Sequence, residues 1–346
     1  MSEFPSEAGY PIGNNFSVKY YVIQMHYTNT QVCTNCTDSS GIRFYVTNQL
    51  RQYDIGYLTF GTNTDSLGLS IPPLVQSFVV DTYCPASVTS TFPASGITVL
   101  NAFPHTHLQG KTVWTKIIRN KTAVGYLFNA ETYDFNYQFD NRLPQRIQLY
   151  PGDEFSTRCI YNTMNKNTTT LGGERTKDEM CLHMFTYFPR MDNISICISI
   201  IHPLAWINFL KLNVTSAVAV APALEKKVQN ITWTPELATQ WQNFYNTAAR
   251  WTVYNRRGTE TYVYLANISD YIDLKQDVCI PQDIPSSYST GLSTSLSTPS
   301  TEWTKTTRAS STTVDSSGTK LIGQLSIWHK IIMCVVFLLF LTKNNN

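Results

Sequence analysis

The chain has 346 residues, and its 26 lysines and arginines against 24 aspartates and glutamates give a formal net charge of only +2. This balance, without a basic stripe along the sequence, argues against a nucleic acid as the main partner. Hydrophobic residues make up 42% of the chain, which is enough for the core of one large domain or two ordinary domains.

Short β-strands dominate the first two hundred residues. Residues 18–27, 42–47, 96–103 and 112–118 are rich in β-branched and aromatic side chains, which favour strands. Turn sequences rich in glycine, proline and serine separate these segments. The pattern predicts a mainly β fold made of sandwich or jelly-roll domains.

The last third of the chain has a different character. Residues 233–249 can form a helix, although the sequence assigns this region no role. Between residues 286 and 319, 21 of 34 residues are serine or threonine, which predicts a disordered, O-glycosylated stalk.

The eleven apolar residues 331–341 are fewer than the ~20 that span a bilayer. Small residues at 316–318 ahead of them fit a GPI-attachment signal; a short membrane segment from residue 321 onward, or no anchoring role, are the alternatives.

Cysteines and glycosylation motifs both indicate the secretory pathway. Scattered cysteines fit disulfides between distant strands better than a compact zinc cluster. The eight cysteines are Cys33, Cys36, Cys84, Cys159, Cys181, Cys197, Cys279 and Cys334. The Asn-x-Ser/Thr acceptor pattern occurs at Asn15, Asn35, Asn120, Asn167, Asn193, Asn213, Asn230 and Asn267. We therefore expect a secretory vesicle, the endoplasmic reticulum lumen, or an extracellular or membrane-anchored location. No leader of signal-peptide type follows Met1, so the natural N-terminus is expected further upstream.

His105-Thr106-His107 is the first motif that can carry chemistry. In a β-strand, residues i and i+2 point to the same face, so His105 and His107 can hold one metal ion. Such pairs also occur by chance on protein surfaces. Met180 is by default a core residue, but a thioether beside two imidazoles favours cuprous ion over zinc or ferrous iron.

A series of motifs in a fixed order carries a family resemblance. They are Pro-Ser-Glu-Ala-Gly at 5–9, Met-His-Tyr-Thr-Asn at 25–29, Asp-Ser-Ser-Gly-Ile-Arg at 38–43, Pro-Ala-Ser-Gly-Ile at 93–97, His-Thr-His-Leu-Gln-Gly at 105–110, Pro-Gly-Asp at 151–153, Cys-Ile-Tyr-Asn-Thr at 159–163, Thr-Leu-Gly-Gly at 170–173 and Glu-Met-Cys at 179–181. Over about half its length the chain thus resembles the copper type II, ascorbate-dependent monooxygenases, of the dopamine beta-hydroxylase and monooxygenase X kind. The resemblance implies jelly-roll β-sandwich domains.

The resemblance also implies the metal ligands. His105, His107 and Met180 are the expected catalytic residues and ligands of the catalytic copper. His26 matches one of three histidines on a second copper, whose other two histidines form an adjacent pair upstream. No histidine precedes His26 in this sequence, so we expect an N-terminally truncated chain with an incomplete second site. Three further histidines are expected not to bind metal: His183, His202 and His329.

Two disulfides follow from the same resemblance, namely Cys84–Cys197 and Cys159–Cys181. The second bridge would hold the strand that carries Met180. Cys33 and Cys36 are expected to form a local structural bridge rather than a redox pair, because no helix pattern follows to lower a thiol pKa. Cys279 is expected to pair with a cysteine outside this sequence.

The expected organisation has five segments. They are a remnant of the N-terminal copper monooxygenase domain at 1–70, a complete C-terminal copper monooxygenase domain at 71–215, an extension of unknown role at 216–285, the stalk at 286–320 and a hydrophobic tail at 321–346.

The activity that the resemblance implies is the insertion of one oxygen atom of O2 into a C–H bond of a small aromatic amine such as dopamine or tyramine. The expected cofactors are copper, two ions per complete enzyme, and ascorbate as electron donor. The C-terminal tail or a GPI anchor would attach the chain to a membrane. The alternative is a catalytically inactive, surface-anchored secretory glycoprotein, or a copper-binding ectodomain, that retains the fold. The absent histidine pair favours this alternative, whereas the intact set of His105, His107 and Met180 argues against it.

Overall fold

The computed structural model describes residues 4–13, 16, 34, 35, 37, 39, 41–256 and 259–275. Some of the sequence predictions concern residues outside these ranges. They are the strand at 18–27, the ligand His26, the acceptor Asn15, the cysteines Cys33, Cys36, Cys279 and Cys334, His329, the stalk and the apolar tail.

The described residues form fifteen β-strands and four α-helices, with two short 3-10 segments at Phe135–Tyr137 and Ala217–Ala219. The strands are β1 (Ala8–Gly9), β2 (Tyr53–Asp54), β3 (Gly56–Thr62), β4 (Ser70–Ile71), β5 (Phe78–Cys84), β6 (Ile97–His105), β7 (Gly110–Arg119), β8 (Thr122–Ala130), β9 (Asn141–Leu149), β10 (Glu154–Tyr161), β11 (Thr170–Leu171), β12 (Leu182–Phe188), β13 (Ile196–Ile201), β14 (Arg250–Arg256) and β15 (Thr259–Leu265). The helices are α1 (Ala86–Thr89), α2 (Pro203–Leu210), α3 (Val220–Val228) and α4 (Pro235–Thr247).

Two large sheets organise these strands. One has seven strands in the order β15-β14-β13-β3-β12-β6-β9, and the other has four in the order β5-β10-β7-β8. Neighbouring strands in both sheets are antiparallel, except that β3 and β13 run parallel. The mainly β architecture predicted from the sequence is therefore confirmed.

The main core lies between the two sheets, because their strands alternate buried and partly exposed residues. In β3, Leu58 and Phe60 are buried, whereas Tyr57 and Thr59 remain partly exposed. Phe60 stacks on Phe155 of β10 in the other sheet, with ring centroids 4.5 Å apart. Burying one such phenylalanine contributes roughly 1.5–3 kcal/mol to stability, so this alternation fixes which face of each sheet points inward.

Both disulfides implied by the family resemblance are present. Cys84–Cys197 joins β5 of the four-stranded sheet to β13 of the seven-stranded sheet. Cys159–Cys181 joins β10 to the residue that precedes β12. The two bonds therefore cross-link the two layers of the sandwich.

A second apolar cluster lies under the helices. Thr234 caps α4 through its Oγ1, which accepts a hydrogen bond from Leu237 N (3.2 Å). Trp241 of α4 is fully buried, and its Nε1 donates to Ser70 O (2.7 Å). The helix predicted within residues 233–249 is thus present. No helix in the described part of the chain has both the length and the apolar character to cross a membrane.

The sheet extends past the domain boundaries predicted at residues 70 and 215. β3 precedes the first boundary, yet it lies between β12 and β13 in the seven-stranded sheet. β14 and β15 follow the second boundary and continue the same sheet from β13. Strands on both sides of the predicted 71–215 segment are therefore built into one fold, because each needs its neighbour in the sheet to satisfy its backbone hydrogen bonds.

His183 lies in the core between the sheets. Its neighbour Leu182, which pairs with His105, is on the opposite face of β12. His183 is fully buried, and its Nδ1 is 2.8 Å from Thr115 Oγ1 on β7. Burial lowers the pKa of His183 to about 3, because a charged imidazole is not solvated there. His183 is therefore neutral in the folded protein.

We expect this neutral histidine to make the fold sensitive to acid. Unfolded His183 takes up a proton below its ordinary pKa of about 6.5, whereas folded His183 does so only near pH 3, so stability falls as the pH drops through this window. His183→Asn should reduce the loss of unfolding free energy between pH 6.5 and pH 4.5 by about 2–3 kcal/mol, measured by urea denaturation.

The matched control is His202→Asn. His202 is only partly buried and caps α2, where its Nδ1 accepts from Leu204 N (3.2 Å), and asparagine is also a good cap. Burial lowers the pKa of His202 as well, but less of this side chain is buried, so the control should remove only a small part of the acid sensitivity. Equal acid sensitivity in the His183→Asn variant would contradict the assignment.

Candidate metal centre

The two histidines of the His-x-His motif lie where β6 ends. His105 is the last residue of β6, and His107 stands in the loop that leads to Gly110, the first residue of β7. Their ring centroids are 5.2 Å apart and the ring planes are almost perpendicular. Both side chains are buried. The structure thus brings the two imidazoles together, although His107 lies beyond the strand that the sequence predicts for both.

Tyr133 fixes the residue between the histidines. Its hydroxyl donates to Thr106 O (2.8 Å) and accepts from Thr106 N (3.1 Å), so one side chain satisfies both backbone groups of Thr106. Gly110 packs against the same residue, because a Cβ at Gly110 would collide with the Thr106 side chain. The loop is therefore tightly held on both sides.

Each imidazole is hydrogen-bonded through Nδ1 to a carbonyl oxygen. His107 Nδ1 is 2.9 Å from the backbone oxygen of Asp178, which can only accept. His105 Nδ1 is 2.6 Å from Gln138 Oε1. The amide orientation of Gln138 is set by its Nε2, which donates to Phe135 O (2.9 Å). The network therefore assigns the proton of both rings to Nδ1 and the lone pair to Nε2, the arrangement in which a neutral histidine binds a metal.

The strand register brings Met180 to the same place. Leu182 of β12 pairs with His105 in the antiparallel ladder. Met180 lies two residues before Leu182, and His107 lies two residues after His105, so both stand just beyond the last pair of this ladder. The hydrogen bond between His107 Nδ1 and Asp178 O shows that the two segments are in contact. Met180 itself is buried.

Glu179 connects the histidine loop to the methionine segment. Its Oε2 accepts from His107 N (2.8 Å) and from Met180 N (3.2 Å), and its Oε1 accepts from Gln109 N (2.6 Å). Burial raises the pKa of Glu179 to about 7, against the opposing effect of these backbone hydrogen bonds. A carboxylate is thus buried within the loop that carries the candidate ligands.

Two further contacts hold the methionine segment from the four-stranded sheet. Tyr161 of β10 donates its hydroxyl hydrogen to Met180 O (2.7 Å), and Cys181 is bonded to Cys159 on the same strand. The Met180 carbonyl and the neighbouring Cys181 are therefore both fixed to β10. This limits the positions that the Met180 thioether can take.

Aromatic rings surround the two imidazoles. Phe103 stacks on His105 with centroids 6.2 Å apart, and Phe135 meets His107 edge-on at 6.1 Å. Among the described residues, no group of three histidine, cysteine, aspartate or glutamate side chains could hold a metal ion. The set of His105, His107 and Met180 differs from such groups because its third member is a methionine. Two imidazoles and a thioether are neutral, soft donors that fit cuprous ion.

Sequence reasoning missed three residues that position the site: Tyr133, Gln138 and Glu179. Glu179 stands in the Glu-Met-Cys motif, but its sequence context assigns the acid no role. Its signal was a charged residue directly beside a methionine and a cysteine that are both expected to be buried. His183 and His202 lie elsewhere with the structural roles described above.

The sequence of the segment that forms this site matches known proteins. Residues 53–209 match the model of the family described as copper type II ascorbate-dependent monooxygenase, C-terminal domain. Residues 53–209 are thus similar to the C-terminal domain of the copper type II, ascorbate-dependent monooxygenases. The matched segment contains every residue placed in the site above.

Individual relatives of this monooxygenase family cover a similar part of the chain. A tyramine beta-hydroxylase from Caenorhabditis briggsae is 33% identical over 198 residues, which are 57% of this chain and 34% of the relative. A dopamine beta-hydroxylase from Canis lupus familiaris is 33% identical over 201 residues, 58% of this chain and 32% of the relative. The mouse DBH-like monooxygenase protein 2 is 34% identical over 198 residues, 56% of this chain and 32% of the relative. The aligned part thus spans about one third of the length of these relatives.

The role of Gln138 can be tested without metal. In Gln138→Leu, His105 Nδ1 loses its acceptor, so we expect the imidazole of His105 to populate the tautomer with the proton on Nε2. Ring nitrogen chemical shifts of the metal-free protein measure this change. Gln145→Leu, the same substitution at an exposed position of β9, is the control and should leave the His105 shifts unaltered. Unchanged His105 shifts in Gln138→Leu would contradict the tautomer assignment.

Proposed function

We propose that this chain forms the dioxygen-activating half of a copper- and ascorbate-dependent monooxygenase that hydroxylates a C–H bond of a small aromatic amine. The observation that carries the proposal is the contact of His105, His107 and the Met180 segment in one buried site, with both imidazoles hydrogen-bonded through Nδ1 to carbonyl oxygens. The match of residues 53–209 to the C-terminal domain of the monooxygenase family supports the same reaction class.

His105 Nε2, His107 Nε2 and the Met180 thioether would hold the copper ion. Bound there, copper supplies one-electron chemistry with O2, and ascorbate supplies the electrons. The protein contributes three neutral donors, which add no charge and therefore keep the reduced, soft form of the ion favourable. Gln138 and the Asp178 carbonyl hold the two imidazoles at their Nδ1 atoms, so neither ring can turn its lone pair away from the site. Phe103 and Phe135 flank the imidazoles with apolar surface that limits the access of water.

Small aromatic amines are the proposed substrate class because two of the relatives are a tyramine beta-hydroxylase and a dopamine beta-hydroxylase. The proposed second copper, with His26 as one ligand, belongs to residues outside the described part of the chain. His26 would contribute one imidazole to an electron-supplying site in the full-length protein.

A secretory location is part of the proposal. The two disulfides fit an oxidising compartment. Asn193 is partly buried, and its Nδ2 donates to Thr91 O (3.3 Å). Six other described acceptor asparagines are exposed, namely Asn35, Asn120, Asn167, Asn213, Asn230 and Asn267. Membrane attachment through the C-terminal tail or a GPI anchor remains a proposal on residues outside the described ranges.

The test is ascorbate-dependent hydroxylation of tyramine by the full-length gene product. His107→Ala and Met180→Ala should each abolish turnover while the protein still unfolds cooperatively, because each removes a copper donor from a site held by other contacts. Met164→Ala, at a methionine whose side chain is exposed, is the control and should retain activity.

Copper content separates this function from its alternative. Retained hydroxylation in either ligand variant would refute the assigned roles. If the unaltered protein binds copper but no substrate amine is hydroxylated, the chain is a copper-binding ectodomain. If it binds no copper, it is an inactive glycoprotein that retains the fold.

A further inference from the structure

The Glu179 carboxylate lies between the histidine loop and the segment that carries Met180, which are about seventy residues apart in the sequence. Oε1 accepts from Gln109 N (2.6 Å), while Oε2 accepts from both His107 N (2.8 Å) and Met180 N (3.2 Å). The side chain has no exposed surface. All three bonds therefore form in a protein environment, where a hydrogen bond to a charged acceptor is strong.

Such a carboxylate is costly to bury, and nothing in the core packing requires it. Among the described residues no ion pair to Glu179 is formed, so backbone N–H groups are the direct compensation of its charge. Gly173 N and Leu171 O already hold the backbone of Glu179 through ordinary hydrogen bonds. The side chain is thus not needed to hold the backbone of Glu179 itself, and its three hydrogen bonds act on the histidine loop and on Met180.

The geometry of a carboxylate suits this place in a way that no other side chain does. It has two oxygens that only accept, and here each oxygen faces the histidine loop while one also faces Met180. Glutamine has the same shape but one acceptor oxygen, and its amide hydrogens would point at an N–H donor. Because both oxygens accept, the carboxylate adds links between the loop and the methionine segment to the one that His107 Nδ1 makes with Asp178 O.

We propose that Glu179 is a positioning residue of the copper site, which sets the distance between the imidazole of His107 and the thioether of Met180. This inference rests on the proposed function, because it assigns Glu179 a purpose toward the ion that His105, His107 and Met180 would hold. Glu179 acts through the backbone of two ligands and contacts neither the ion nor the substrate.

This role of Glu179 should affect the affinity for Cu(I) more than the affinity for Cu(II). A soft thioether matters to Cu(I), whereas Cu(II) is held mainly by the imidazoles. If Glu179 keeps the Met180 segment beside His107, loss of the Glu179 carboxylate should weaken the bond between copper and the Met180 sulfur more than the bonds between copper and the imidazole nitrogens. A residue that only stabilised the fold would weaken both oxidation states alike.

The experiment compares Glu179→Gln with Glu174→Gln in the full chain. Glu174 is exposed and lies five residues away, so it controls for the change of charge. Cu(I) is added in competition with bicinchoninate, Cu(II) by equilibrium dialysis, and the sulfur ligand is observed by copper X-ray absorption. We expect Glu179→Gln to lower Cu(I) affinity by about 10–100-fold, to lower Cu(II) affinity less, and to lose the copper–sulfur signal, while Glu174→Gln matches the unaltered protein.

A measurement on the unaltered protein covers the case in which Glu179→Gln does not fold. Hydrogen exchange of the His107, Gln109 and Met180 amides should slow together when Cu(I) is added, because one carboxylate joins all three. Slowing confined to the Met180 amide would overturn the proposal.

The outcomes separate this inference from the proposed function. Cu(I) affinity and a copper–sulfur signal in Glu179→Gln equal to those of the unaltered protein would overturn the role of Glu179 alone. If the unaltered protein itself shows no copper–sulfur signal, the proposed function fails, and the role of Glu179 fails with it.

Discussion

The antiparallel register between β6 and β12 is the constraint on which the candidate site depends. Leu182 pairs with His105 at the end of this ladder, and just beyond it the segment that carries Met180 contacts His107 through Asp178 O. Because side chains alternate between the two faces of a sheet, a slip of one residue would move every side chain of β12 to the other face. The core prevents that slip, since Phe185 pairs with Ala102 and both are buried between the sheets.

The loop after β6 has buried backbone N–H groups that side chains around it satisfy. A tight loop leaves N–H groups without strand partners, and a buried unpaired N–H is costly. Tyr133 satisfies Thr106, and Glu179 satisfies the amides of His107 and Gln109. The Glu179 carboxylate that accepts from the loop amides also links the loop to the methionine segment. The same hydrogen bonds therefore stabilise the fold and position the candidate ligands.

Much of the fold was predictable from the sequence, because strand and helix signals are local. The β-branched segments at 96–103 and 112–118 correspond to β6 and β7, and the pattern at 233–249 corresponds to α4. The disulfide pairs came from the family resemblance, since spacing alone does not specify cysteine connectivity.

The contacts that build the site were not predictable in the same way. His107 N and Glu179 are 72 residues apart in sequence, and His105 and Gln138 are 33 apart. No local pattern reports such pairs, because they exist only after two strands have come together. The place of β3 in the sheet could not be read from the sequence for a related reason: its parallel partner is β13, which follows more than one hundred residues later.

The central place of β3 also sets an order of events during synthesis. Both neighbours of β3 in the sheet, β12 and β13, are C-terminal to it. At about 5–20 residues per second, an apolar strand that leaves the ribosome early waits on the order of ten seconds before either neighbour exists. During that time its unpaired edges can be engaged by other chains. β3 can therefore enter its sheet only after residues 182–201 have been synthesised.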